Sequence, residues 1–318
     1  MFRFAVMGAA QIAVKFCDAV TYVDDAEVTA VSSRSLERAQ AFAKANGLAR
    51  AYGSYEEMLV QEKPDCVYVA TTMESHYDMC MLALKHNIPI LCEKSMTVSV
   101  AQAEEIFALA AEKKLFIMEA MWSRFLPAVR KAKEWLDAGL IGKPVFGDMS
   151  IGFYSERNDN NRFWNPKLGG GVCYDLTVYS YDLTTYMLGN DIEDIQIHAV
   201  KAPTGVDAQD HLSLFYKNGV LASLWSTLLN RPDERLCIHG EHGRIIVPNS
   251  HYADKAYLYV EGQETVEFID SETHNGFEHE VREAIRCIKA GLLESETVPH
   301  SLTIETQKLF ERIQKEMK

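Results

Sequence analysis

Up to about residue 118 the chain alternates short apolar runs with segments of helical period, and this alternation limits the fold more than any other feature. Phe2–Met7 is an apolar run, Gly8 follows, and Ile12, Ala13, Phe16 and Ala19/Val20 then recur on one helical face. The pattern continues as strand 28–32, helix 35–46, strand 65–70, helix 75–86, strand 88–92, helix 99–113 and strand 115–118. Strands joined through helices return to one sheet by right-handed crossovers, so this half predicts a parallel, doubly wound α/β sheet of the Rossmann type. Ser99 and Gln102 are placed as a capping box for the last helix.

Past Phe125 the period changes. A helix over 128–137 ends at Gly139, and strands dominate thereafter: 145–153, 194–201, 209–216, 220–227, 235–240, 244–247 and 256–268. Asn218-Gly219 between two of them is a hairpin turn signal. A helix centred on Thr177 precedes most of these strands, and helices over 276–290 and 302–317 close the chain. The expected organisation is a dinucleotide-binding domain over 1–120 and an α+β domain over 121–318, built on a large open, mostly antiparallel sheet.

Composition narrows the partners. The net charge of −13 disfavours nucleic acid and anionic membrane. No apolar run approaches the ~20 residues of a membrane span. The first strand already occupies Phe2–Met7, so no signal segment is expected and a cytoplasmic protein is. Seven cysteines, an odd number with no C-x-x-C, read as reduced core thiols.

The turn Gly8-Ala9-Ala10-Gln11-Ile12-Ala13 is a G-x-G-x-x-G with alanine at its second and third glycines. Gly8 makes the tight turn, and the helix N-terminus offers N–H groups to a pyrophosphate. After the second strand, an enzyme preferring NAD places an acid for the ribose 2′-hydroxyl. Here Ser33, Arg34 and Arg38 stand instead, with no acid until Glu37. A guanidinium suits a 2′-phosphate, so NADP is expected ahead of NAD. Glu93-Lys94 follows the run 88–92, and a lysine at the carboxyl edge of a parallel strand faces the ligand crevice of such sheets. Asp175 and Tyr179, four apart after Gly169-Gly170-Gly171, share a helix face, where they either cap and pack the helix or form an acid/base pair.

Taken together, Gly8 to Ala13, Ala70-Thr71-Thr72 with His76, Glu93-Lys94, the run from Glu119 to Phe125, and the glycine triplet with Asp175 and Tyr179 resemble the glucose–fructose oxidoreductase / inositol dehydrogenase (Gfo/Idh/MocA) family. Within it, the chain is most similar to the dimeric dihydrodiol dehydrogenase and NADP-dependent xylose dehydrogenase branch. The resemblance spans nearly all 318 residues. It departs at Ser95, where the family carries proline after Glu-Lys.

The resemblance implies an NADP-dependent oxidoreductase acting on a secondary alcohol/carbonyl of a sugar, polyol or cyclic diol. It makes Lys94, Tyr179 and Asp175 the catalytic set. It places Gly8, Ala10, Gln11, Ile12, Ser33, Arg34, Arg38, Thr71, Thr72, His76, Glu93 and Lys94 at the cofactor. His76 is otherwise a surface or capping residue. Trp122, Arg124, Tyr154 and Trp164 are substrate-binding candidates that serve equally as junction or core residues. His239 and His242 flank a turn without an accompanying Cys or acid cluster, so no metal is expected. The competing reading is a non-catalytic NADP-sensing or regulatory protein that keeps the fold. Residues 220–228 carry no charge on either alternating face, which points to a covered sheet and a homodimer, or dimer of dimers, through it.

Overall fold

The computed structural model describes residues 1–317. They fall into two compact units, Met1–Trp122 with His274–Gln307, and Ser123–Thr273 with the chain from Lys308 onward. The first unit begins β1 (Phe2–Met7), α1 (Gln11–Val20), β2 (Ala26–Ser32), α2 (Leu36–Ala45), β3 (Arg50–Tyr52) and α3 (Tyr55–Glu62). It continues β4 (Cys66–Val69), α4 (Met73–Lys85), β5 (Ile90–Glu93), α5 (Val100–Lys113) and β6 (Ile117–Ala120). All six strands pair in parallel, in the order β3-β2-β1-β4-β5-β6. Every residue of β4, β5 and β6 is buried, as expected for strands covered on both faces. The order reverses between β1 and β4, which is where sheets of this type bind ligands.

Two elements here have no counterpart in the sequence reading, β3 and α3. β3 has three residues, too few to establish a period. α3 did carry a signal, because Ser54 accepts the Glu57 N–H at 3.3 Å in an S-x-x-E start. At α5, Ser99 accepts the Gln102 N–H at 3.3 Å, while Gln102 reaches back to the Val98 N–H at 3.3 Å.

The second unit contains α6 (Pro127–Asp137), β7 (Pro144–Gly152), α7 (Val178–Leu188), β8 (Ile192–Lys201), β9 (Asp207–Tyr216) and β10 (Leu221–Thr227). β11 (Arg235–Gly240), β12 (Gly243–Pro248), β13 (Lys255–Val260) and β14 (Val266–Ile269) complete its sheet. The order is β14-β13-β12-β11-β7-β10-β9-β8, antiparallel throughout except for the parallel pair β7–β10. The single strand expected over 256–268 is in fact two, β13 and β14, paired antiparallel. Gly262, at φ 74°, reverses the chain between them among polar neighbours.

Met149, Ile151, Leu212, Leu214, Leu224 and Ile238 bury one face of this sheet. On the other face Phe146, Asp148, His211, Ser223 and Trp225 stay half-exposed. The closing helices are α8 (Phe277–Lys289) and α9 (His300–Glu316). Residues 274–307, which the sequence reading grouped with the second domain, pack in the first unit. Asn275 and His274 bond Asp18 at 2.8 and 3.0 Å, and Arg282 donates to the Tyr22 carbonyl at 2.7 Å.

Candidate functional site

At the end of β1, Gly8 takes φ 117° and donates its N–H to the Ser32 carbonyl at 2.9 Å. A Cβ there would lie 2.5 Å from the Ala70 carbonyl oxygen, so only glycine fits. Ala10 caps α1 in an extended conformation without a side-chain acceptor, which leaves N–H groups of the first turn, at Gln11 and Ile12, for another acceptor. β2 stops at Ser32, and buried Ser33 donates its N–H to the Tyr52 carbonyl at 3.1 Å. Arg34 and Arg38 are exposed beside it, and Arg38 reaches back to the Ala9 carbonyl at 3.5 Å. A closely approachable turn, an uncapped helix start and two cations where an acid would favour NAD form a cradle suited to a dinucleotide bearing a 2′-phosphate.

The loop after β4 is tied to the loop after β5 through His76. Its ring is buried, with Nδ1 3.0 Å from the Ser95 carbonyl and Nε2 3.1 Å from the Thr71 carbonyl. Neutral imidazole donates only one of these bonds. Burial pushes the His76 pKa down, and the facing carbonyls oppose that. The hydroxyl of Thr71 is buried with no hydrogen-bond partner among the described residues, and Thr72 forms the N-cap of α4.

Lys94 is half-buried just past β5, and the chain on either side of it is anchored. Glu93 accepts the Tyr68 hydroxyl on one carboxyl oxygen and the Lys94 N–H, at 3.2 Å, on the other. Burial pushes the Glu93 carboxyl pKa up, against the pull of Tyr68 and Lys94. On the far side, the Met96 N–H donates to Glu119 at 2.8 Å, and Thr303 holds the other Glu119 oxygen at 2.7 Å. The Lys94–Ser95 peptide is cis.

In the second unit, Cys173–Thr177 winds as a π-helical turn that runs into α7. Such turns recur at functional sites. The turn rests on two buried acids. Asp207 accepts the Cys173 N–H at 2.5 Å, and Asp210 accepts the Thr177 hydroxyl at 2.8 Å. Burial pushes both carboxyl pKa values up. Gly171, at φ 125°, is obligatory because a Cβ would collide with the Asp207 carboxylate. Asp175 accepts a bond from Arg162 at 3.1 Å. The Tyr179 ring is buried with its centroid 5.2 Å from that of His251, whose Nδ1 lies 2.6 Å from Glu234.

The substrate candidates divide. Tyr154 is 60% exposed, and Trp122 is half-buried with its ring stacked on Phe277 at 5.1 Å. Arg124 is instead buried against Asp182, with Nε 2.7 Å from the carboxylate and Nη2 donating to the Asp182 carbonyl at 2.9 Å. Trp164 is buried, its indole N–H on Ser155 at 3.0 Å. Tyr68, Asp207, Asp210 and His251 carry no signal in the sequence, because each acquires its role only through contacts distant in sequence; Glu119 is legible there only as the start of the run to Phe125.

A parallel dinucleotide sheet with an anchored lysine at its carboxyl edge, joined in one chain to an open antiparallel sheet, is the architecture of a two-domain nicotinamide oxidoreductase. Residues 2–121 match the oxidoreductase family with NAD-binding Rossmann fold, and residues 129–246 match the GFO/IDH/MocA C-terminal domain. D-xylose 1-dehydrogenase (NADP(+)) of Hypocrea jecorina is 31% identical over 353 residues, covering 97% of this chain and 90% of that protein. Trans-1,2-dihydrobenzene-1,2-diol dehydrogenase of Xenopus tropicalis is 29% identical over 303 residues, covering 92% and 91%. A solved 3-ketoreductase from Actinomadura kijaniata, in complex with NADP and TDP-benzene, superposes with a TM-score of 0.87 at 23% identity, over 100% of this chain and 98% of that one, and it bears on the fold alone. The chain belongs to the GFO/IDH/MocA family of oxidoreductases.

Proposed function

We propose that the protein is an NADP-dependent oxidoreductase acting on a secondary alcohol/carbonyl of a sugar, polyol or cyclic diol. The observation that carries this reading is the half-buried Lys94 at the carboxyl edge of a dinucleotide sheet, with anchored backbone on both sides. The bound nicotinamide supplies hydride exchange; the protein supplies position and charge. Gly8, Ala10, Gln11 and Ile12 hold the pyrophosphate, and Ser33, Arg34 and Arg38 hold the 2′-phosphate. Thr71, Thr72 and Glu93 line the same loops, and His76 fixes those loops to each other from within.

Lys94 hydrogen-bonds the reacting oxygen and stabilises its negative charge, Tyr179 transfers the proton, and Asp175 orients the substrate. Trp122 and Tyr154 contact substrate. Arg124 and Trp164, already hydrogen-bonded within the second unit, support those contacts without making them. The family relatives favour this assignment, as one is named for xylose with NADP and another for a benzene dihydrodiol. Seven free, buried cysteines suit a cytoplasmic setting. No helix among the described residues is long and apolar enough to cross a membrane.

The test is turnover on a panel of aldoses, polyols and cyclic diols with NADP and with NAD, followed at the absorbance of reduced nicotinamide. Oxidation or reduction of at least one panel member, faster with NADP, is expected. Tight NADP binding without turnover on any of them would point instead to a regulatory protein.

A further inference from the structure

The open face of the second unit's sheet gathers a set of side chains that the oxidoreductase reading does not use. We propose that Asp148, Cys237 and His239 form a binding site for one divalent zinc-class ion. Cys237 and His239 are two apart on β11 and so project from the same face. Asp148 on β7 is the direct antiparallel partner of Cys237, which puts its carboxylate beside the thiol. The Cys237 Sγ lies 3.2 Å from the His239 Nε2, and that nitrogen lies 3.9 Å from the Asp148 Oδ1. All three donor atoms fall within 4.8 Å of one another.

A tetrahedral zinc ion with bonds of ~2.0 Å to N and O and ~2.3 Å to S holds its donors roughly 3.3–3.5 Å apart. The set therefore needs only side-chain adjustment to close on an ion. The thiol–imidazole hydrogen bond brings two donors together, and the Asp148 carboxylate, shared with Arg235, adds a third donor 3.9 Å from the same nitrogen. Among the described residues no other set of three His, Cys, Asp or Glu side chains converges in this way. The expectation that no Cys or acid accompanies His239 overlooks Cys237, two residues before it on the same strand, while Asp148 comes beside them only through strand pairing.

On binding, the Cys237 thiol gives its proton to solvent. Thiolate and carboxylate together then neutralise the dication, and no oxidant or reductant is needed. In the single chain the Asp148 and His239 side chains are partly exposed, 28% and 43%, so an ion can enter, and its fourth ligand is a water or a group of the copy that covers this face. Two arginines stand close, and each has another partner. Arg235 lies 3.7 Å from Asp148 and also 3.6 Å from Asp233, while the Arg244 guanidinium covers the Tyr259 ring at 4.4 Å. Asp148 can turn to an ion while Arg235 keeps Asp233.

The test uses the full chain stripped with a chelator and titrated with Zn²⁺ against a chromophoric competitor. One equivalent per chain is expected, weakened at least ~10-fold by Cys237→Ser and by His239→Gln. Co²⁺ should give a sulfur-to-cobalt charge-transfer band that Cys237→Ser removes and Cys17→Ser leaves. If either β11 variant fails to fold by circular dichroism, Asp148→Asn, at a partly exposed carboxylate, carries the same test. Absence of one-equivalent binding, or binding that survives both the Cys237 and the His239 change, would overturn the site.

Discussion

Lys94 bears the largest share of the proposed chemistry. Lys94→Met removes its charge at similar length, so kcat should fall by roughly 10²–10³-fold, the size of losing one donor to a developing oxyanion. Cofactor affinity, read by fluorescence titration, should persist because the Gly8 turn is untouched. Tyr179→Phe removes one hydroxyl and should lower kcat by roughly 10²–10⁴-fold, erasing the limb of the pH profile that reports proton transfer. The double variant should be no worse than the poorer single one if the two act as a unit. Full turnover and an unchanged profile in Tyr179→Phe would reduce that residue to helix packing against His251. At the other end of the cofactor, Arg34→Asp should weaken NADP by about 1.5–3 kcal/mol and leave NAD unchanged or improved, which titration with both cofactors will read. Equal affinity of the unaltered protein for NADP and NAD would remove the assignment. The placement of Gly8, Arg34 and Lys94 just past strand ends is legible in the sequence because the local pattern of each strand is plain. Their anchors are not. Tyr68 meets Glu93, and Thr303 meets Glu119, only after the sheet has formed and α9 has docked on it.

At the scale of elements, α8 brings a liability into the first unit. Glu280 on this helix is fully buried, and neither of its carboxyl oxygens has a hydrogen-bond partner among the described residues. Burial, with Glu93 nearby, pushes its pKa well up, and the buried Tyr68 hydroxyl shares the neighbourhood. The folded state therefore holds the Glu280 proton more tightly than the unfolded chain does. Its contribution to stability is whole below the unfolded carboxyl pKa near ~4.3 and fades as pH rises from there toward the raised folded value. Glu280→Met, of similar volume and uncharged, should stabilise the protein by about 1–3 kcal/mol at pH 8 and by much less at pH 4.5. Urea unfolding at the two pH values measures this, and a variant less stable than the parent at pH 8 would mean that the carboxylate is satisfied in solution. Sequence pattern placed most elements because strands and helices of ordinary length repeat their period several times. β3 is too brief to show a period, and β13 and β14 read as one strand because apolar positions end at Val260 and resume at Val266 across a short polar turn. Sequence pattern assigns α8 by chain position, whereas hydrogen bonds to α1 decide where that helix packs.

The whole molecule leaves one surface to be accounted for. Paired across β7, β10 and β9, the residues Phe146, Leu221, Phe215, Trp225 and His211 line one face of the second unit's sheet, and they are half-exposed or exposed. Large apolar side chains gathered on one open sheet face, even with Ser223 and Asp148 between them, are uncommon on a protein that stays monomeric, and such a face is buried most simply by a second copy about a twofold axis. The lack of charge over 220–228 anticipated such burial, yet β10 alternates buried with half-exposed residues, so within one chain the face stays open. The proposed assembly is a homodimer, or a dimer of dimers, through this face. Light scattering at micromolar concentration should give at least twice the mass of one chain. Trp225→Glu puts a charge at the centre of this face without touching the buried side of β10, and losing an aromatic anchor there should cost about 2 kcal/mol or more of association energy. That variant should keep its circular dichroism spectrum and cofactor affinity while dissociating. A parent protein that scatters as a monomer, or a Trp225→Glu protein that stays as large as the parent, would place the contact elsewhere, with the exposed edge residues Val266 and Ile269 of β14 as the next apolar surface to substitute.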